Sequence, residues 1–130
     1  MTQSTILLVE ADILVRTPLA QYLRECGYQV LEAIDATEAR ALFNAAEISI
    51  DVALIDASAH DEAAFELARW IRQSTPQVEV VLTGSVTKAV KEATDLCEDG
   101  PAITKPYNHQ AVLSVIQRLL AARKRQTDAE

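Results

Sequence analysis

Five short, mainly apolar runs, each followed by a longer stretch of helical period, constrain this chain more than any other feature. The runs are "ILLV" (6–9), "YQVLEA" (28–33), "DVALID" (51–56), "VEVVLTG" (78–84) and the shorter "AIT" (102–104). They are continuous rather than alternating, which marks strands covered on both faces. Strand-then-helix repeats close through right-handed crossovers into a parallel sheet with helices on each side. The chain of 130 residues suits one such domain, with a core over about 4–122 and a basic tail at 123–130.

The helical stretches carry the matching apolar stripes. Val15, Leu19, Tyr22, Leu23 and Cys26 share one face, and Gly27 supplies a stop. Pro18 is placed early in this helix, where its missing N–H costs least. Asp35 with Glu38 fits a capping box that opens a second helix lined by Ala39, Leu42, Phe43 and Ala46. A third helix buries Ala64, Leu67, Ala68 and Ile71, and a fourth Val86, Val90, Ala93 and Cys97. A fifth presents Val112, Val115, Ile116 and Leu119. Cys26 and Cys97 have no metal-type spacing and read as free, buried or half-buried thiols.

In open parallel sheets, sites form beyond the carboxyl ends of the strands, near the point where strand order reverses. Four of the five strand ends here carry chemistry: Glu10, Asp56, Thr83 and Lys105. Each alone fits a cap, a turn or a solvated loop. Together at one sheet edge they make an aspartate nucleophile for a phosphoryl group, with a hydroxyl and an amine to meet the phosphate oxygens. Glu10 and Asp56 are candidate ligands for a hard cation.

The segments "ILLVEAD", "DVALID", "VVLTG" and "ITKPY", in this order, resemble the signature segments of the receiver domain of bacterial two-component response regulators. The resemblance covers essentially the whole chain. It implies a flavodoxin-like (βα)5 fold, a doubly wound parallel sheet of strand order 2-1-3-4-5. It further implies Asp56 as phosphoacceptor, Thr83 as switch hydroxyl, Lys105 as the lysine that contacts the phosphoryl group, and a cis Lys105–Pro106 peptide. Magnesium would be held by Glu10, Asp56 and the backbone carbonyl of Ser58. The chain would act in the cytoplasm as a phosphorelay component rather than an enzyme, with at most self-phosphorylation and self-dephosphorylation at Asp56. A histidine kinase or phosphotransfer protein would be the donor, and a downstream protein would bind through about 86–122.

The chain also departs from that pattern. Receivers usually carry two adjacent acids after the first strand; here Glu10 is followed by Ala11, and Asp12 falls where a helix N-cap is expected. The metal site is therefore a remnant that binds magnesium weakly or not at all. Ala102 stands where an aromatic residue usually reports phosphorylation, and His60, read as an exposed loop residue, stands where proline is common. These changes remove parts that the ordinary phosphorylation-and-rotation mechanism uses. They leave open a second reading, a pseudo-receiver that binds partners without phosphorylation.

Other classes fit less well. The formal net charge of −7 disfavours direct contact with nucleic acid or anionic lipid, and "RKR" (123–125) reads as a helix C-terminal complement. No apolar run is long enough to cross a bilayer. A flavin-binding relative would want a hydroxyl- and glycine-rich phosphate loop after strand one, where "EADILVR" would repel phosphate. A haloacid-dehalogenase-like phosphatase would carry a second acid two residues after its nucleophile, and Ser58 is there.

Overall fold

The computed structural model describes residues 4–45, 48–57 and 62–99. Strands and helices alternate: β1 (Thr5–Val9), α1 (Ile13–Glu25), β2 (Gln29–Ala33), α2 (Ala36–Asn44), β3 (Val52–Asp56), α3 (Glu62–Ser74), β4 (Glu79–Thr83) and α4 (Val86–Asp99). The strands are parallel and ordered β2-β1-β3-β4, the first four places of the expected doubly wound order. The expected fifth strand and fifth helix lie outside the described residues, as does the Lys105–Pro106 peptide.

β1 and β3 form the centre. All five residues of β1 and the first four of β3 are buried, as continuous apolar strands between two helical layers should be. Alternate side chains feed two cores. Ile6, Leu8, Val52 and Leu54 point to the side covered by α1 and α4. Leu7, Val9, Ala53 and Ile55 point to the side covered by α2 and α3. The expected inward faces of α1 and α3 are all buried.

Local signals fix the helix ends. Asp12 is the N-cap of α1, its Oδ1 accepting from the Leu14 N–H at 2.9 Å. Asp35 caps α2 through the Glu38 N–H at 2.9 Å, while Glu38 Oε1 accepts from the Ile34 N–H at 3.0 Å. At the end of α1, Gly27 adopts φ 99°, the left-handed region that favours glycine. The Gly27 N–H reaches the Arg24 carbonyl (3.0 Å) and the Tyr28 N–H the Leu23 carbonyl (3.2 Å), which closes the helix in a Schellman motif.

Two expectations need correction, and a third feature departs from the usual crossover rule. Pro18 lies more than one turn inside α1, so a hydrogen bond to the Leu14 carbonyl is forgone there. Cys26 and Cys97 are not free thiols; they form a disulfide with Cα atoms 5.4 Å apart. Finally, α4 packs its Ala89, Val90, Ala93 and Cys97 stripe onto α1. A right-handed step to a strand beyond β4 would carry α4 over the α2–α3 side instead. The helical period identifies the apolar stripe of α4, but the disulfide and the Tyr28 hydroxyl, which donates to the Leu96 carbonyl, determine where it docks.

Leu54 sits at 1% exposure in the central strand, so Leu54→Ala should cost ~3 kcal/mol by leaving a cavity between α1 and the sheet. Asp35→Ala, which removes only a cap, should cost ~1 kcal/mol. Urea unfolding of the two variants, read as midpoint shifts at constant slope, checks the ranking.

Candidate functional site

Register carries the site. Val9 pairs with both Ala33 and Ile55, and Asp56 pairs with Thr83. The strand ends are therefore level, and the first residue past β1, Glu10, comes beside the last residue of β3, Asp56. Glu10 is pinned through its own main chain: its N–H donates to the Ala33 carbonyl at 3.0 Å. Asp56 and Thr83, paired across β3 and β4, project to the same face of the sheet. The Thr83 carbonyl accepts from the Ala57 N–H at 2.9 Å, so the β3 and β4 ends stay joined one residue past the strand.

The three groups sit in different environments. Thr83 is fully buried, with its Oγ1 3.5 Å from the Ile55 carbonyl. Asp56 is half-buried. Glu10 is 8% exposed, and its Oε2 accepts from the Asp12 N–H at 2.9 Å. Burial is the main cause that pushes the Glu10 carboxyl up to about 7, and the charges of Asp56 and Asp12 push the same way. The Asp12 N–H and the Arg16 guanidinium oppose the rise. A cavity of about 210 Å³ opens beside the pair, bordered by Glu10, Ala11, Asp35, Asp56 and Ala63 among others.

Arg16 is a residue that sequence reasoning missed. Its Nη1 donates to the Glu10 carbonyl at 2.9 Å and its Nε pairs with Glu32 at 3.2 Å. Arg24 joins the same carboxylate at 3.2 Å and also reaches the Val30 carbonyl at 2.9 Å. The two arginines thus tie α1 to β2 and hold the β1–α1 connection from behind. The only sequence hint was an arginine one turn past the Asp12 cap; its partner Glu32 lies on another strand, and no spacing rule points to it.

The structure brings Glu10, Asp56 and Thr83 to one sheet edge, and Asp12 serves as a cap. Ser58, His60, Ala102 and Lys105 lie outside the described residues. Ala11 is exposed and offers no side-chain oxygen. Among the described residues, no group of three or more His, Cys, Asp or Glu could hold a metal ion. No helix of the described residues is long and apolar enough to cross a membrane.

Glu10 makes stability depend on pH with a definite sign. Its carboxyl titrates at about 7 when folded and at 4.5 when unfolded, so the folded state binds the proton more tightly. The folded protein should lose stability as pH rises from 4.5 to about 7, then level off. Glu10→Gln keeps an acceptor for the Asp12 N–H and removes the titration. The variant should match the parent at the acid end and exceed it above neutrality, by at most ~3 kcal/mol. Urea midpoints measured from pH 5 to pH 8 check this; a constant difference across that range would contradict it.

The family described as the response regulator receiver domain matches residues 6–117. A cyclic di-GMP phosphodiesterase of Thermotoga maritima is 32% identical over 106 residues, covering 80% of this chain and 27% of that protein. The virulence transcriptional regulatory protein PhoP of Salmonella typhimurium is 29% identical over 117 residues, covering 88% of this chain and 51% of that one. The chain thus spans about half or less of these two relatives. Among solved structures, the chemotaxis response regulator CheY4 of Vibrio cholerae superposes with a TM-score of 0.55 at 25% identity, over 90% of this chain and 98% of its own. With level strand ends that gather Glu10, Asp56 and Thr83 at one sheet edge, and with the family match over most of its length, this chain belongs to the response regulator receiver domains of two-component signalling.

Proposed function

We propose that this receiver accepts a phosphoryl group on Asp56 from a histidine kinase or phosphotransfer protein and acts through a protein partner, with weakened magnesium-dependent chemistry because Ala11 replaces an acid. The observation that carries the reading is the pairing of Asp56 with the buried Thr83 across β3 and β4, with Glu10 beside it at the same edge. In the transfer, an Asp56 carboxylate oxygen bonds to phosphorus, the phosphorus–nitrogen bond of a phosphohistidine breaks, and the departing imidazole nitrogen takes a proton. Thr83 would donate its hydroxyl to a phosphoryl oxygen, and Lys105 would offset the charge of another.

Magnesium usually keeps several waters and takes one or two carboxylates plus phosphate oxygens. Glu10 and Asp56 meet that lower number, so the residues fit the ion, with the Ser58 carbonyl as a further ligand. When bound, it would neutralise charge on the phosphoryl oxygens. A missing carboxylate at Ala11 and a Glu10 that holds its proton near neutrality both weaken that binding.

The same two features favour a second reading, a partner-binding module that works without phosphorylation. Incubating the chain with acetyl phosphate and magnesium, followed by intact-mass measurement, separates the two. The first reading expects one added phosphoryl group in the parent and none in Asp56→Asn. No adduct in the parent at any magnesium concentration would favour the second.

Ala11→Asp should create a stronger magnesium site. A carboxylate at this exposed position would border the same cavity as Glu10 and Asp56 and leave the buried strand β1 intact. The added charge should make the metal-free variant slightly less stable than the parent through carboxylate repulsion. Added magnesium should then raise the melting temperature of the variant more than that of the parent, by mass action on the folded state. Equal magnesium-dependent shifts in thermal unfolding would show that Ala11 is not the defect.

A further inference from the structure

Two ties converge on the last turn of α4, and both come from the turn that ends α1. Cys26 is bonded to Cys97, and two residues later the Tyr28 hydroxyl donates to the Leu96 carbonyl. Both cysteines are buried, at 1% and 2% exposure, and the link spans 71 residues of sequence. Apart from this pair, α4 meets this core through Ala89, Val90 and Ala93, with Val86 and Leu96 packed at the margin. The other end of α4 starts at Val86, three residues after Thr83. The helix is thus anchored covalently at one end and runs to the candidate site at the other.

We propose that Cys26 and Cys97 are a thiol–disulfide switch, exchanging with low-molecular-weight thiols and disulfides of the glutathione class, that sets whether α4 is tied to α1. The exchange balances. The thiolate of one cysteine attacks a sulfur of the small disulfide, forming a mixed disulfide and releasing one small thiolate. The thiolate of the second cysteine attacks the protein sulfur of that mixed disulfide, closing Cys26–Cys97 and releasing the second small thiolate. Two protein thiols have then lost two protons and two electrons, and the small disulfide has become two thiols. With the sulfurs buried in the docked state, reduction proceeds when the last turn of α4 lifts, and closure proceeds when it returns. The remaining core between α1 and the sheet, built on Ile6, Leu8, Leu19, Leu23 and Leu54, does not depend on the bond, so the reduced chain keeps its fold. This inference is independent of whether Asp56 is phosphorylated.

The test uses the unmodified chain. It is equilibrated with oxidised and reduced glutathione, from oxidised alone to a ~1000-fold excess of the thiol, then quenched in acid, alkylated and weighed intact. Both the disulfide and the dithiol form should be populated within that range. Reduction should lower the melting temperature by ~10 °C, the scale expected for opening a long covalent loop in a small domain. Amide exchange should rise about tenfold or more in 86–99 and at the α1–β2 turn, and stay unchanged in β1 and β3. Cys97→Ser should show the reduced behaviour at every ratio, and the reduced parent gives the same information should that variant fail to fold. Three results would each overturn the proposal: two alkylated thiols even in oxidised glutathione alone, a bond that resists the largest thiol excess, or exchange in α4 that does not respond to reduction.

Discussion

The parallel pairing of β1 with β3 is the constraint on which the rest depends. Ile6 pairs with Val52 and the register runs unbroken to Val9 with Ile55, so both strands end at the same level. A slip of β3 by one residue would turn Ala53 and Ile55 away from α2 and α3 and Val52 and Leu54 away from α1, and disturb both cores at once. That penalty holds the register firmly, and the register in turn sets Glu10 and Asp56 side by side. The site owes its geometry to the apolar residues of β1 and β3.

Placing two carboxylates at the dry end of such a pair has an electrostatic cost, and the structure shows where it falls. Glu10 is the more buried of the two, and its carboxyl rises to about 7 chiefly because of that burial. Its one described side-chain hydrogen bond, from the Asp12 N–H, offsets only part of the rise. Arg16 contributes least of the named causes, since its guanidinium addresses the Glu10 carbonyl and Glu32 rather than the Glu10 carboxylate. The arginine therefore positions the main chain of the site more than it neutralises it.

Much of this was legible in the sequence because it depends on local pattern. Continuous apolar runs identified the strands, and 3.6-residue spacing identified the buried faces of α1 and α3. Asp12, Asp35 with Glu38, and Gly27 announced the helix ends through chemistry that acts within a few residues. What escaped was set by contacts between distant parts of the chain. The Arg16–Glu32–Arg24 network joins a helix to a neighbouring strand, and the Cys26–Cys97 bond joins two helix ends 71 residues apart. The face chosen by α4 is of the same kind. A stripe of Ala89, Val90 and Ala93 says which side of the helix is apolar but not which side of the sheet receives it. Pro18 misled for a related reason: packing of Val15, Leu19 and Leu23 holds α1 together through a position where the lost hydrogen bond alone would argue for a break.

The substitution at Ala11 fits this electrostatic picture. A third carboxylate at the edge would add repulsion to a pair that already drives Glu10 toward its protonated form. A proton on Glu10, a divalent cation shared by Glu10 and Asp56, and an amine close to Asp56 would each lessen the cost of holding buried carboxylates together. Each weakens the demand for the others, because relief by one lowers the free energy gained from the next. With an acid at position 11 the balance would tilt toward the cation, the remedy that carries two charges. The chain thus keeps the strand-end frame of a receiver, with a Glu10 carboxyl that burial first, and the neighbouring acids second, push up to about 7.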